Sequence, residues 1–120
     1  MLLFAYGTLQ NSVRRSAVIG PSTPCRVVGA ASVQGRLYDA GEYPVLCLSD
    51  VAADRVPGLL LEMDDDALPR LDEYEAVADG LYARRRCRVE LTGGDAVDAW
   101  VYVYARSVAR LPRIAAWPGP

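Results

Sequence analysis

Leu68–Tyr82, LPRLDEYEAVADGLY, reads as a short amphipathic helix that ends in a loop leading into a strand. Leu68, Leu71 and Glu75 stand at i, i+3 and i+7, so a 3.6-residue period puts them on one face. Pro69 belongs in the first turn, because further in it would break a hydrogen bond. Asp64–Asp66 lie ahead of the helix and favour its positive end. Asp72 and Glu73 point away from the apolar stripe, as solvated residues would. Glu75 breaks the pattern, because it occupies the slot where an amphipathic helix would carry another leucine. A carboxylate on an apolar stripe is costly unless it is paired or its proton affinity rises. That is the setting in which carboxyl groups become acids and bases near neutral pH. The plainer alternative is a structural or solvated Glu at a helix end where the chain already turns outward.

Upstream, Met1–Tyr6, MLLFAY, is a continuous apolar run and reads as a buried strand. Gly7-Thr8-Leu9 follows, then Asn11 or Ser12 can cap a helix that runs to about Ile19 and stops at Gly20-Pro21. Backbone N–H groups at such a glycine turn can hold an anion, although a single Gly between strand and helix also serves simply as a turn. Pro24–Tyr38 reads as a strand bent near Gly29 and Gly35. Val45–Leu48 and Val56–Met63 are two more, with a loop or single helical turn over Ser49–Arg55. Downstream, Tyr82–Leu91 alternates. Tyr82, Arg84, Arg86 and Arg88 share the polar parity, with Cys87, Val89 and Leu91 on the other, so the arginines read as a solvated strand face. Thr92–Asp95, TGGD, is a hairpin turn into Ala96–Ala105, whose aromatic and valine residues read as core. The tail Arg106–Pro120 is expected to dock Leu111, Ile114 and Trp117 irregularly over the core. Together these predict one α+β domain spanning residues 1–120, a curled or barrel-like sheet of about six strands with two short helices.

Composition narrows the function. With 52% hydrophobic and 23% charged residues, the 120-residue chain is built to bury a core. A net charge of −2 and no basic tract beyond Arg84–Arg88 give little basis for nucleic-acid binding. No apolar run approaches the roughly 20 residues of a membrane span, and residues 1–5 lack the flanks of a signal peptide. Cys25, Cys47 and Cys87 are isolated, which predicts reduced, mostly buried thiols in a cytoplasmic protein. The chain has no histidine, so a Ser-His-Asp triad, a Cys-His pair and a His-ligated metal are all excluded. All 13 basic residues are arginine. General base chemistry therefore falls to Asp or Glu, or less readily to Tyr or Cys.

Two stretches taken together resemble a known family. Phe4–Leu9, FAYGTL, is similar to the Tyr-Gly-Ser/Thr-Leu loop of the γ-glutamylcyclotransferase-like family. Leu71–Glu75, LDEYE, followed by Tyr82-Ala83-Arg84, is similar to its Leu-Asp-x-x-Glu…Tyr-x-Arg segment. Gly35–Pro44 and Val56–Leu60 also fit the small bacterial members, and the resemblance covers most of residues 2–104. It implies a small mixed β-barrel flanked by helices, with a pocket between the N-terminal loop and the helix that carries the Glu. Carried over residue by residue, it makes Glu75 the catalytic acid/base. Tyr6, Gly7, Thr8 and Leu9 become the loop whose N–H groups hold a substrate α-carboxylate, and Tyr82 a pocket wall. A Cβ at Gly7 would then crowd those N–H groups.

The implied reaction converts a γ-glutamyl amide to 5-oxoproline and a free amine, an intramolecular aminolysis of transferase or lyase type. The substrate's own amine is the nucleophile, so no metal and no cofactor are needed. The implied partner is a small-molecule γ-glutamyl substrate, with no nucleic acid or membrane, and the protein acts as a monomer or homodimer. Two other readings stay open. One is a non-catalytic carboxylate-binding protein on the same fold, and the other an amidohydrolase that uses water and releases glutamate.

Overall fold

The computed structural model describes residues 1–118. Seven strands and two helices follow in the order β1 (Leu2–Ala5), α1 (Ser12–Ile19), β2 (Cys25–Asp39), β3 (Pro44–Leu48), β4 (Arg55–Met63), α2 (Leu68–Tyr74), β5 (Tyr82–Leu91), β6 (Ala96–Tyr104) and β7 (Arg113–Ile114). Neighbouring strands run β2-β4-β1-β6-β5, and β5 returns to β2 through Ala31↔Leu91 and Ser32↔Glu90, which closes a five-stranded barrel. All barrel pairs are antiparallel except β1–β6, which is parallel at Leu3↔Trp100. Closure removes the exposed edges that an open sheet of this size would carry.

The fifteen residues of β2 serve two structures. Its first part, Cys25–Gln34, pairs with β4 through a register shift between Val27 and Gly29. Its last part, Gly35–Asp39, leaves the barrel to pair with β3 on one edge and β7 on the other. The short β7 strand corrects the expectation of an irregular tail and raises the strand count from six to seven. Its cause is non-local: Tyr38 and Leu37 offer a free edge to Arg113 and Ile114.

Two apolar layers explain why β1 reads as a continuous hydrophobic run. Phe4 and Tyr6 point into the barrel with Val33, Leu60, Val89 and Val101. Leu3 and Ala5 point outward under the helices with Leu61, Met63, Ile19 and Leu71. A strand buried on both faces needs no polar alternation. The close crossing of β4 on β1 depends on Gly58, where a Cβ would run into the Ala5 carbonyl oxygen.

Helix α1 is capped as its sequence predicts: the Asn11 side chain accepts from the Arg14 N–H at 3.0 Å, and Gly20 ends it. Helix α2 follows a 3-10 turn at Asp65–Ala67, with Pro69 in its first turn. Its buried side chain is Leu71, fully out of solvent, with Ala67 one turn earlier; Leu68 is only half-buried, so the inward stripe starts at Ala67. The helix stops in a Schellman motif. Val77 N–H donates to the Asp72 carbonyl at 3.0 Å and Ala76 N–H to the Glu73 carbonyl at 3.1 Å, with Ala76 at φ 50° in the left-handed position that glycine normally fills. The three cysteines are free and partly buried. Among the described residues no helix is long and apolar enough to cross a membrane.

Candidate functional site

A cavity of about 530 Å³ opens where the end of β1, the loop after it, the end of α2 and the start of β5 converge. Tyr6, Gly7, Thr8, Leu9, Glu75 and Tyr82, drawn from three separated stretches, all line it. Leu3, Phe4, Ala5 and Leu81 supply apolar wall, and Tyr43, Pro44, Tyr74 and Tyr102 complete it, with Arg14 and Glu42 as its other charged residues.

Glu75 is the C-cap of α2, and its N–H closes the helix onto the Leu71 carbonyl at 2.9 Å. Because Ala76 then turns left-handed, the chain leaves the helix at once and Glu75 faces the cavity instead of the next turn. Among the described residues no cation stands within ion-pair distance of its carboxyl group. Burial against apolar and phenolic walls pushes its pKa up to about 7. Both protonation states are thus within reach near neutral pH, so the group can accept and give a proton.

The loop opposite is held from behind. Arg15, buried on α1, donates Nη1–H to the carbonyls of Leu9 at 3.0 Å and Gln10 at 3.1 Å. The Gln10 N–H returns to the Gly7 carbonyl at 3.1 Å. The carbonyls of this turn are therefore occupied, while the N–H groups of Gly7, Thr8 and Leu9 have no backbone partner among the described residues. A Cβ at Gly7 would lie 2.8 Å from Pro44 Cγ, so a side chain there would also press on the cavity wall.

The tyrosines are anchored. Tyr82 O–H donates to the Pro44 carbonyl at 2.6 Å, and Tyr6 O–H to the Tyr102 carbonyl. Burial, with the Glu75 charge nearby, pushes the Tyr82 phenol well above its ordinary pKa, so it stays neutral. Tyr82 does not share the solvated side of β5 that its parity with Arg84, Arg86 and Arg88 predicts. Beside the cavity that side is covered by α2 and becomes interior, and it returns to solvent only further along the strand.

Asp72 also departs from expectation. It is half-buried, accepts from Tyr102 O–H at 2.7 Å and pairs with Arg84 Nε at 3.2 Å. Arg84 in turn stacks on Trp100, 4.5 Å from the ring centroid, so it does not extend freely into water. Tyr102 is buried in the core, as its sequence position predicts, and also forms part of the cavity wall, held in place by this carboxylate. Among the described residues no group of three or more Cys, Asp or Glu side chains is placed to hold a metal ion.

A family model described as γ-glutamyl cyclotransferase, AIG2-like, matches residues 3–117. No curated protein matches the chain. Among solved structures, the crystal structure of an AIG2-like protein from Mus musculus superposes with a TM-score of 0.82 at 25% identity, covering 99% of this chain and 90% of that one. A structure named gamma-glutamyl cyclotransferase gives a TM-score of 0.72 at 22% identity over 87% of this chain. An uncharacterized protein from Homo sapiens gives 0.74 at 22% identity over 88%. This chain spans 66% of the length of each of those two, and the likeness to them is one of fold. With the family model covering nearly its whole length, the chain belongs to the γ-glutamyl cyclotransferase, AIG2-like family.

Proposed function

We propose that the protein is a cofactor-free cyclotransferase that converts a γ-glutamyl amide to 5-oxoproline and a free amine. The observation that carries this reading is Glu75: a carboxyl group of raised proton affinity, without an ion-pair partner among the described residues, on the wall of a cavity that Gly7, Thr8 and Leu9 also line. Family membership supports a cyclotransferase-type enzyme; the substrate and the roles below are our assignment.

In this mechanism the Tyr6–Leu9 loop binds the α-carboxylate through its N–H groups, and Tyr82 closes the wall against which the γ-glutamyl chain folds back. Folding brings the α-nitrogen to the γ-carbonyl carbon and supplies the proximity term. Glu75 takes a proton from the α-ammonium, and the freed amine attacks. A C–N bond forms, the old amide C–N bond breaks, and Glu75 returns a proton to the departing nitrogen. The α-nitrogen arrives with three hydrogens and keeps one as the lactam N–H. The two protons released match the two that the leaving amine gains as its ammonium. No external nucleophile enters, which agrees with a chain that lacks histidine.

The test is a panel of γ-glutamyl amides offered to purified protein, with products read by mass spectrometry. The cyclotransferase reading expects 5-oxoproline. Glutamate instead would establish water as the nucleophile, and carboxylate binding without turnover of any panel member would establish a binding protein.

A further inference from the structure

Arg14 and Arg15 are neighbours on α1 with different employment. Arg15 is buried and spent on two loop carbonyls. Arg14 is exposed, forms no ion pair among the described residues, and donates Nη1–H to the Tyr74 phenol oxygen at 3.3 Å. That oxygen lies 2.7 Å from Thr8 Oγ1, and Arg14, Tyr74 and Thr8 all line the cavity with Glu75. Helix stability does not account for Arg14. It sits in the first turn of α1, the end at which a cation is disfavoured, and no acidic residue offsets it there.

Counting hydrogens gives this chain of groups a direction. A guanidinium only donates, so Tyr74 accepts from Arg14. Tyr74 and Thr8 own one hydroxyl hydrogen each, and the bond between them uses one. Whichever residue supplies that one, the other hydrogen has no acceptor among the described residues. It belongs to a half-buried, cavity-lining hydroxyl beside a positive charge, able to turn from water to an anionic oxygen that enters the cavity. Thr8 also lies in the loop whose N–H groups have no backbone partner among the described residues, and Gly7, Thr8 and Leu9 line the same cavity.

We propose that Arg14, Tyr74 and Thr8 form a polarised hydroxyl chain that donates a hydrogen bond to the α-carboxylate of the γ-glutamyl substrate. Thr8 or Tyr74 touches the ligand, and Arg14 is a positioning residue acting through them. This rests on the cyclotransferase reading and adds to it the side chains that recognise the substrate's negative charge.

The experiment compares two ligands by NMR titration: 5-oxoproline, which bears the carboxylate, and 2-pyrrolidinone, the same ring without it. The double variant Thr8→Val/Tyr74→Phe removes both hydroxyls and is expected to weaken 5-oxoproline binding about tenfold or more while leaving 2-pyrrolidinone unchanged. Arg14→Ala, at an exposed site that keeps the fold, is expected to give a smaller loss in the same direction. In turnover, both raise KM more than they lower kcat. Equal weakening of the two ligands, an unchanged 5-oxoproline affinity in either variant, or a fall in kcat at constant KM overturns the proposal. So does wild-type protein with no preference for 5-oxoproline. The two readings fail separately. Carboxylate-selective binding without turnover of any γ-glutamyl amide removes the cyclase and leaves the carboxylate site, whereas turnover that is indifferent to these variants removes the hydroxyl chain alone.

Discussion

Asp54 and Glu75 are both carboxylates withdrawn from bulk water, and their surroundings are opposite. Asp54 is 9% exposed and fully engaged: Arg36 Nε at 2.7 Å, Arg113 Nη2 at 2.8 Å and Ser49 Oγ at 2.7 Å all reach it. Those hydrogen bonds hold its pKa well below the ordinary carboxylate range. The bonds also join β2, the loop before β4 and the short β7 strand, so Asp54 fastens the outer extension of the sheet. Glu75 has a cavity where Asp54 has arginines, and burial raises its pKa to about 7. A buried carboxylate that is paired contributes to the fold. One left without an ion-pair partner beside a left-handed turn costs stability, a cost that the proposed chemistry at Glu75 would explain.

The sharpest way to break this contrast is to neutralise each group in turn. Glu75→Gln is expected to lower turnover a hundredfold or more, the scale of acid/base catalysis, while leaving the fold intact. Asp54→Asn is expected to leave kcat essentially unchanged. Steady-state 5-oxoproline assays on the two variants test both, and a crossed result would reverse the assignment of the two carboxylates.

Stability against pH should separate them next. The folded-state pKa of Glu75 is raised from 4.5 to about 7, so between those values the native state holds a proton that the unfolded chain has lost. Stability therefore falls as pH rises through that window, by up to about 3 kcal/mol at roughly 1.4 kcal/mol per unit, and levels off above it. Asp54 has the opposite sign. Its folded pKa is depressed, so its contribution is complete above the unfolded value of 3.8 and is lost as pH falls below it. Urea unfolding of wild type and Glu75→Gln at pH 5 and pH 8 checks this. The variant should match wild type near pH 5 and exceed it at pH 8.

Asp54→Asn should lower stability only modestly, because its arginine partners are themselves 42% and 51% exposed. Denaturant midpoints measure it. The smallest effect concerns the turn that aims Glu75. Ala76→Gly relieves a left-handed residue that costs about 1–2 kcal/mol, offset by the greater freedom of glycine in the unfolded chain, so a net gain of about 0.5 kcal/mol is expected. Turnover should be unchanged, because the backbone path that presents Glu75 stays the same.

What could be read from the sequence was local. The apolar run of β1, the Asn11 cap, Pro69 in the first turn of α2 and the glycine hairpin between β5 and β6 each carry their own short-range signal, and the structure places each as expected. The stripe on α2 marked Glu75 because a carboxylate on an apolar face violates a period. Asp54 carried no such mark. Its arginine partners lie 18 and 59 residues away, and nothing in the loop around it announces those pairings. The barrel-like sheet was legible but not which strands close it, and the β7 strand was hidden for the same reason, as were Asp72, solvated by its helix position but claimed by Tyr102 and Arg84, and the contact of Arg14 with Tyr74. Long-range partners leave no periodic trace, so the resemblance to a family supplied the order of the site while the structure supplied its supports.

The proposed chemistry depends most on the proton affinity of Glu75, and a carbon-13 NMR titration of its side-chain carboxyl in the ligand-free protein measures that directly. A midpoint near 7, with the signal absent in Glu75→Gln, is the predicted result. A midpoint at the ordinary 4.5 would mean that the carboxylate is in contact with water, and would contradict its assignment as the acid/base of the cyclisation.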